Sequence, residues 1–378
     1  MDKPKIIRIS TVPGSLEAFL EGQLKMLSEF YDITAVSSPG KSLDIIKERE
    51  KVQTVAVPME RHISIVKDLV SLFRLIRLFR KVKPYAVHSM TPKAGLLSML
   101  AARIAGVPVR MHTFTGLVFP TATGLMQKLL ILTDRLTCSC CTYINPEGYG
   151  VKRDLERFKI TKKPLHVIAN GNVRGVNMDF YKRTPEVVAK ASQIKHQDKI
   201  TFCFIGRLVR DKGINELIQA FTTLYQKYPN IHLLLVGSFE PHLDPLLPET
   251  VRNIKNHPAI EYVGAQPDVR PFLAASDIFV FPSYREGFPN VVLEAGALGL
   301  PSIVTDINGS NEIIQSGFNG EIIPSKNEQK LYEVMKNWID NPEKLQQMSQ
   351  NARRNIADKY DQKIVWKALL HTYQELIK

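Results

Sequence analysis

The feature of the sequence that most constrains its fold is an alternation of short apolar runs with amphipathic segments, repeated in two series. Strand-like runs of the first series occur at 5–11, 31–37, 52–58, 85–89, 108–113, 138–144 and 165–169. Those of the second series occur at 200–206, 231–237, 260–264, 277–282, 301–305 and 320–323. Helical patterns separate most of them, notably at 15–30, 62–82, 92–106 and 125–137. Strands that alternate with helices form parallel sheets covered on both faces, so the pattern predicts a doubly wound α/β fold.

A polar, charged stretch at 181–199 separates the two series. The chain has 378 residues, which exceeds the roughly 100–200 residues of a typical domain. We therefore expect two Rossmann-like domains facing across a cleft, at 1–180 and 181–358. The pattern from about 328 onward is helical, and we expect residues 359–378 to form a helix that packs back on the first domain.

The formal net charge of +13 indicates an acidic partner, such as nucleic acid, an anionic membrane or phosphorylated small molecules. Nucleic acid is the least favoured, because the basic residues are spread along the chain without interleaved aromatic residues. Neither a signal peptide nor an apolar run of the roughly 18 residues that a membrane-spanning helix needs is recognisable. Four cysteines lack the paired spacing of a zinc site, namely Cys138, Cys140, Cys141 and Cys203. We interpret them as buried, reduced thiols of a cytoplasmic protein.

Ligands of open parallel sheets bind at the carboxyl ends of the strands, so the loops that follow strands are the candidate sites. After the first strand, Gly14 would let a phosphate approach the backbone at a helix start, although one glycine is not a dinucleotide-binding GxGxxG motif. His112 ends a later strand, just before a glycine-containing loop. For both residues a purely structural role stays open.

The loop GRLVRDKG, after the run at 200–206, carries Arg207 and Lys212 at the start of a predicted helix. Arginine binds phosphate oxygens in pairs and lysine acts as a point charge, so this pattern predicts a clamp for a diphosphate. A solvated basic turn is the alternative.

The stretch SYREGFPNVVLEAGALG carries two glutamates, Glu286 in a loop and Glu294 in the following predicted helix. Asn290 is the predicted N-cap, and the free N–H groups of the first turn can face an anion. Eight positions along a helix leave the two carboxylates about 80° apart on a helical wheel. This argues against an acid/base pair on one helical face and favours two different ligand groups, with a surface position for Glu294 as the alternative.

Together these loops resemble those of glycosyltransferase family four, the retaining enzymes of the GT-B fold. The resemblance rests on the E-x(7)-E element of Glu286 and Glu294, on GRLVRDKG, on TPKAGLLSMLAARIAGVPVRMHTFTGL at 91–117 and on NGNVRGVNMDFY at 170–181. The N-terminal half is most similar to a subgroup that extends lipid-linked oligosaccharides for bacterial capsule, O-antigen or protein glycosylation. The resemblance implies transfer of a hexose or N-acetylhexosamine, UDP-Gal or UDP-GalNAc being favoured donors, to an undecaprenyl-diphosphate-linked saccharide.

The resemblance also implies roles for the residues of the second domain. Glu286 would hold hydroxyls of the transferred sugar, and Glu294 would accept hydrogen bonds from the donor ribose. Backbone groups next to Glu286 would contribute further contacts, at Gly287, Phe288, Pro289, Asn290 and Val291. Arg207 and Lys212 would stabilise the diphosphate leaving group, which gains charge as the glycosidic bond breaks.

Further roles follow from the same resemblance. Gly14 would give the diphosphate close access to the backbone, and His112 would face the donor sugar across the cleft. Backbone near Tyr262 and Val263 would read the nucleobase, and Lys93 is a candidate ligand for an acceptor phosphate. The family is thought to react on one face of the sugar, with the donor phosphate helping to deprotonate the acceptor. Because two cations can neutralise the diphosphate and no D-x-D motif is present, we expect no metal and no other cofactor.

Residues 61–83 form a predicted helix that carries apolar residues alongside Arg74, Arg77, Arg80 and Lys81. This pattern is typical either of a crossover helix with a solvated basic face or of a membrane-surface helix, and one helix can serve as both. We expect peripheral association with anionic lipid on the cytoplasmic face of the membrane.

Three other interpretations compete with this one, and the first of them covers two reactions. A sugar-nucleotide epimerase or a phosphorylase would keep the fold and change the reaction, and activity without an acceptor would favour the epimerase. A non-catalytic membrane or scaffold protein is disfavoured by the complete set of charged residues in the loops. A nicotinamide dehydrogenase is disfavoured because its glycine motif is missing.

Overall fold

The computed structural model describes residues 3–60, 62, 64–240, 242 and 244–377. The chain divides into two compact units. Unit 1 comprises Met1–Gly175 together with Lys363–Lys378, and unit 2 comprises Val176–Gln362. Unit 1 is therefore built from two separate stretches of sequence, whereas unit 2 is continuous.

Within its described residues, unit 1 contains a six-stranded parallel sheet in the order β3-β2-β1-β4-β5-β6. Its strands are β1 (Lys5–Ile9), β2 (Asp32–Ser37), β3 (Gln53–Ala56), β4 (Ala86–Met90), β5 (Val109–Phe114) and β6 (Tyr143–Pro146). The helices of the same stretch are α1 (Pro13–Phe19), α2 (Gln23–Ser28), α3 (Lys41–Glu50), α4 (Ile65–Val82), α5 (Pro92–Ile104), α6 (Gly124–Cys140) and α7 (Tyr149–Arg157). The strand order reverses between β1 and β4, which is where ligands collect in such sheets.

Unit 2 repeats this architecture, with a described sheet in the order β12-β11-β10-β7-β8-β9. Its strands are β7 (Ile200–Ile205), β8 (Ile231–Val236), β9 (Ile260–Tyr262), β10 (Ile278–Phe281), β11 (Ser302–Thr305) and β12 (Gly320–Ile323). Its helices are α8 (Pro185–Ile194), α9 (Ile214–Tyr225), α10 (Pro248–Asn256), α11 (Arg270–Ala274), α12 (Asn290–Ala297), α13 (Ser310–Ile313), α14 (Glu328–Asp340) and α15 (Pro342–Tyr360). Here the order reverses between β7 and β10.

The last helix, α16 (Gln362–Leu376), packs on unit 1. Leu369 and Tyr373 of α16 are buried in one core cluster with residues of β1 and β2. The hydroxyl of Tyr373 lies 2.6 Å from Nδ1 of His88, which is itself buried on β4. Burying each large apolar side chain contributes about 1.5–3 kcal/mol, so α16 is an integral part of this core.

Two predicted strands of the first series are wrong in whole or in part. The run at 138–144 is divided, because α6 continues to Cys140 and β6 begins only at Tyr143. The ammonium of Lys163 accounts for the helical ending, since it donates to the carbonyl oxygens of Cys138, Ser139 and Cys141 at 2.7–2.9 Å. The run at 165–169 forms only an isolated bridge, between Leu165 and Ile144.

Other boundaries differ less. The predicted helix at 15–30 is two helices, and Gly22, with a φ of +72°, separates them. The first residues of the predicted helix 61–83 include Arg61 and Ile63, which lie outside the described residues, and α4 begins at Ile65. All four cysteines are free and buried, in agreement with the sequence.

Candidate functional site

In unit 2, the loops that follow β7 and β10 meet where the strand order reverses. Gly213, at the start of α9, has a φ of +71°, and a Cβ there would lie 2.1 Å from the carbonyl oxygen of Pro282. Only glycine allows this approach, which brings the loop after β7 against the loop after β10. The N–H of Tyr284 also donates to the carbonyl oxygen of Asp211 at 2.8 Å. The two loops are thus fixed to each other through their backbones.

The junction of these two loops brings two of the predicted site residues, Lys212 and Glu286, into direct contact. The ammonium of Lys212 contacts the Oε1 atom of Glu286, and the two side chains are only 14% and 17% exposed. The hydroxyl of Ser283 lies 2.9 Å from the same carboxylate oxygen. The ring of Phe281 lies beneath the ammonium, 5.6 Å from it. Sequence reasoning gave Lys212 and Glu286 separate ligands, and the structure shows them as one ion pair.

The second predicted cation also has an acidic partner. A guanidinium nitrogen of Arg207 lies 2.9 Å from Oε2 of Glu240, in the loop after β8. Asp244, in the same loop, accepts from the backbone N–H of Asp211 at 2.7 Å and from Arg210 at 3.0 Å. Sequence reasoning missed these two carboxylates, which lie four and eight residues after the end of β8 and pair with cations from another loop.

The helix α12 carries Glu294 in its second turn, and Glu294 is 7% exposed. This excludes the surface position that the sequence left open. The predicted N-cap is wrong by one residue, because Pro289 occupies it and Asn290 is the first helical residue. The ring of Phe288 packs on Tyr360 at a centroid distance of 5.5 Å, which anchors the loop to the core.

The neighbouring backbone positions Gly287 and Pro289 belong to the loop, and Val291 lies in the first turn of α12 against the core. At the end of β9, Tyr262 is 39% exposed, and its ring packs edge-on against Phe239 at a centroid distance of 4.9 Å. The backbone N–H of Val263 donates to Leu235, and its carbonyl oxygen accepts from Gln266 at 2.7 Å.

In unit 1, the reversal of strand order lies between the loops after β1 and β4. The hydroxyls of Thr11 and Thr91 are 2.9 Å apart across it. Thr91 has a φ of +71° at the start of α5, a left-handed conformation that β-branched residues rarely adopt, and such strain concentrates at functional sites. Gly14 is the second residue of α1, directly after the loop that follows β1. Neither threonine was singled out from the sequence.

His112, the fourth residue of β5, is 1% exposed. Its Nδ1 lies 2.8 Å from the hydroxyl of Ser89 on β4. A Cβ at Gly95 would lie 2.3 Å from the ring, so α5 holds the imidazole tightly. Burial lowers the pKa of His112 from 6.5 to about 3, and the ring is therefore neutral at physiological pH.

Lys93, in the first turn of α5, has a partner in α4. Its ammonium lies 2.8 Å from Oδ1 and 3.0 Å from Oδ2 of Asp68, and its side chain is 13% exposed. A phosphate of an acceptor would therefore compete with the Asp68 carboxylate for this cation.

The outer surface of α4 and α6 is unusually apolar. Both helices pack on α5, and we call the exposed apolar residues of the two the apolar face: Ile65, Val66, Leu69, Val70, Phe73, Leu125, Met126, Leu129, Leu132 and Leu136. The side of α4 that packs on the core carries Ser71, Leu75 and Phe79 instead. Exposed cations adjoin the apolar face, at Arg74, Arg77, Arg80, Lys81, Lys128 and Arg135. None of the described helices combines the length and the hydropathy of a membrane-spanning segment.

Comparison with known proteins identifies the family. The family model described as "Glycosyl transferases group 1" matches residues 188–355, and the model described as "Glycosyl transferase 4-like" matches residues 19–144. The capsular polysaccharide biosynthesis glycosyltransferase CapM of Staphylococcus aureus is 30% identical, over 100% of this chain and 99% of its own. The UDP-Gal:alpha-D-GlcNAc-diphosphoundecaprenol alpha-1,3-galactosyltransferase of Escherichia coli is 28% identical, over 95% of this chain and 94% of its own.

The solved structure of Anabaena Alr3699/HepE in complex with UDP and glucose has the same fold. It superposes with a TM-score of 0.82 at 18% identity, over 98% of this chain and 100% of its own. The predicted α/β fold of GT-B type is thus confirmed. The second half of the chain matches the family model of the group 1 glycosyltransferases. Since a relative at 30% identity is also aligned along the whole chain, this protein belongs to glycosyltransferase family four.

Proposed function

We propose that this chain transfers a hexose or N-acetylhexosamine from a UDP-sugar to a lipid-diphosphate-linked saccharide, with retention of the anomeric configuration. The observation that carries the proposal is the junction of the loops after β7 and β10. It presents a largely covered carboxylate, Glu286, and a cation, Lys212, side by side at the carboxyl ends of parallel strands. A nucleotide sugar offers hydroxyls to the first and phosphate oxygens to the second. The alpha-1,3-galactosyltransferase of Escherichia coli, which is named for a UDP-Gal donor and a diphosphoundecaprenol-linked sugar, supports this choice of substrates.

In the proposed donor complex, the diphosphate replaces both internal carboxylates as partner of the cations. Lys212 leaves Glu286 for a phosphate oxygen, and Arg207 leaves Glu240. The carboxylate of Glu286 is then free to accept hydrogen bonds from sugar hydroxyls. The ion pairs that are lost are charge-assisted like the bonds that replace them, so the exchange favours a ligand that supplies both phosphate oxygens for the cations and hydroxyls for Glu286. A nucleotide and a sugar should therefore bind more tightly as one nucleotide-sugar molecule than as two separate ligands.

In the proposed reaction, the bond between C1 of the sugar and the β-phosphate oxygen breaks as the new bond to the acceptor oxygen forms on the same face. The acceptor hydroxyl gives its proton to an oxygen of the departing diphosphate. Arg207 and Lys212 stabilise the negative charge that develops there. Because these cations neutralise the negative charge of the departing diphosphate, we propose that no metal ion takes part in the reaction. His112, neutral and held by Ser89, serves as a hydrogen-bonding group toward the donor sugar and not as a cation.

We also propose that the apolar face and its cations hold the protein on an anionic membrane, where a lipid-linked acceptor resides. Leu125, Leu129, Leu132 and Leu136 recur at helical spacing along the exposed side of α6. Such a stripe at the surface, bordered by cations, is typical of a helix that lies in the lipid interface. Each lysine or arginine near the lipid contributes about 1 kcal/mol, which makes the basic residues of α4 and α6 jointly significant.

The test is a panel of UDP-Gal, UDP-GalNAc, UDP-Glc and UDP-GlcNAc with the full chain, scored first by binding and then by transfer to an undecaprenyl-diphosphate-linked saccharide. The expected result is transfer from one or two donors, with an α-linked product by NMR. Conversion of the donor to an isomer without acceptor would identify an epimerase instead. Binding of none of the UDP-sugars would overturn the proposed donor class.

A further inference from the structure

Three side chains that the proposed transferase site does not use converge at another place in unit 2. His196 follows α8, His232 is the second residue of β8, and Glu261 lies in β9. Arg207 and Glu286 follow the carboxyl ends of their strands, whereas His232 lies near the amino end of its own. Since all strands of the sheet are parallel, the cluster is separate from the proposed donor site.

The spacing within this cluster is that of metal ligands. Oε2 of Glu261 lies 3.4 Å from Nε2 of His196 and 3.5 Å from Nε2 of His232. Both distances exceed the roughly 2.7–3.2 Å of an N–H···O hydrogen bond. Zinc, in contrast, binds such atoms at about 2.0–2.1 Å, and tetrahedral geometry then separates two ligand atoms by about 3.3–3.4 Å. The candidate ligand atoms of the three residues all lie within 4.8 Å of one another.

Of the two ring nitrogens of His232, Nε2 is the candidate ligand atom, because it is the one that lies near Glu261. His232 is 3% exposed, and its Nδ1 has no hydrogen-bond partner among the residues that the structure describes. Because a metal-binding imidazole is neutral, Nδ1 would carry the proton when Nε2 holds the ion. Two imidazoles and one carboxylate form a set of ligands that zinc uses in proteins, with water in the remaining position.

We propose that His196, His232 and Glu261 bind one Zn²⁺ or similar divalent transition-metal ion. The ion ties the segment after α8 to β8 and β9, and its role is to stabilise unit 2. It takes no part in sugar transfer. An ion that binds only the folded state raises the midpoint of thermal unfolding as its concentration exceeds its dissociation constant.

The proposal is tested by titrating chelator-treated full-length protein with Zn²⁺ against a competing indicator, in parallel with thermal unfolding. We expect one ion per chain and a rise in Tm. His196→Asn and Glu261→Gln should each weaken Zn²⁺ binding at least tenfold and abolish the rise. Both side chains are partly exposed at 43%, and unfolding of the metal-free variants verifies that they are folded.

A matched control comes from α16, where Nε2 of His371 lies 3.4 Å from Oε1 of Glu375 in a pair of similar geometry. His371→Asn should leave the affinity for Zn²⁺ unchanged, because a two-ligand pair is insufficient. Equal binding by the wild type and a His196→Asn/Glu261→Gln double variant would overturn the proposal, as would the lack of saturable binding at millimolar Zn²⁺.

Discussion

The ammonium of Lys212 contacts the carboxylate of Glu286, which lies 74 residues further along the chain. The two side chains are predicted to serve different parts of one donor molecule, and in the structure they satisfy each other. In the absence of a ligand this ion pair keeps both charges paired, because an unpaired buried charge has a high free-energy cost. Substitution of either residue should therefore leave the other side chain without its partner in the ion pair.

Removing the predicted diphosphate cations should slow the chemical step. We expect Lys212→Ala and Arg207→Ala each to lower turnover by roughly 10²-fold, since each removes a charge that stabilises the departing diphosphate. Steady-state kinetics with the preferred UDP-sugar provide the measurement. Lys330→Ala is the control, because Lys330 forms an exposed ion pair with Glu333 on α14. Unchanged turnover in both single variants would remove the proposed clamp.

The two glutamates of the E-x(7)-E element should have separable effects. Glu294→Ala should weaken binding of free UDP by about tenfold or more, because a hydrogen bond to a charged group contributes about 1.5–3 kcal/mol. Glu286→Ala should not lower the affinity for UDP, because it frees Lys212 for the diphosphate, and it should lower transfer. Calorimetric titration with UDP and rate measurements distinguish the two, and a Gln variant at each position controls for side-chain volume. Identical losses of UDP affinity would contradict the division of roles.

Acid should destabilise unit 1 through its buried histidine. The pKa of His112 is about 3 in the folded state and 6.5 ordinarily, so the stability from the neutral form is complete above pH 6.5 and is lost as the pH falls toward 3. At pH 5 the loss from this group is about 2 kcal/mol. Chemical unfolding at pH 7.5 and pH 5 should show a smaller pH difference for His112→Gln than for wild type. His371→Gln, on the surface of α16, should keep the wild-type difference.

Replacing leucines of the apolar face should release the protein from membranes. We expect a Leu125→Ser/Leu129→Ser/Leu132→Ser variant to bind anionic vesicles at least tenfold more weakly, because each fully buried leucine contributes about 1.5–3 kcal/mol. Co-sedimentation at low salt measures the partition. Val188→Ser is the control, since Val188 is an exposed apolar residue of α8 in unit 2. If wild-type protein stays in the supernatant with anionic vesicles, the membrane proposal fails.

Removal of bound metal ions by a chelator should lower the thermal stability of the protein without lowering its rate of sugar transfer. Treatment with EDTA should leave the initial rate of sugar transfer unchanged, because cationic side chains neutralise the diphosphate. A rate that falls with EDTA and returns with added Mg²⁺ or Mn²⁺ would contradict metal-independent transfer. The midpoint of thermal unfolding, recorded on the same samples, reports on the zinc proposal without involving the reaction.

The parallel strands could be predicted because strands buried on both faces are continuous apolar runs, as in IHLLLV of β8. The prediction failed at 138–144, where the end of α6 depends on the ammonium of Lys163, a contact more than twenty residues away in sequence. No local pattern contains such a contact. The leucines at helical spacing on α6 did not predict an exposed apolar face, because an apolar stripe at this spacing ordinarily packs against the core.

For the candidate site, the order of motifs pointed to the loops after β7 and β10, which lie against each other in the structure, but it did not indicate how they contact each other. Glu240 and Asp244 were overlooked because an acidic residue after a strand gains meaning only when a cation from another loop lies beside it. The unusual backbone of Thr91 is likewise a property of φ and ψ that residue type does not reveal, since threonine rarely adopts it.

The place of α16 in the core of unit 1 has a consequence for synthesis on the ribosome. Unit 2 lies entirely between the two stretches of sequence that form unit 1. Tyr373 and Leu369 are therefore translated only after every strand of both sheets. Domains generally fold as they emerge, at about 5–20 residues per second. Unit 2 can thus complete its core before α16 covers the first sheet, and the nascent N-terminal half exposes apolar surface until α16 has been synthesised.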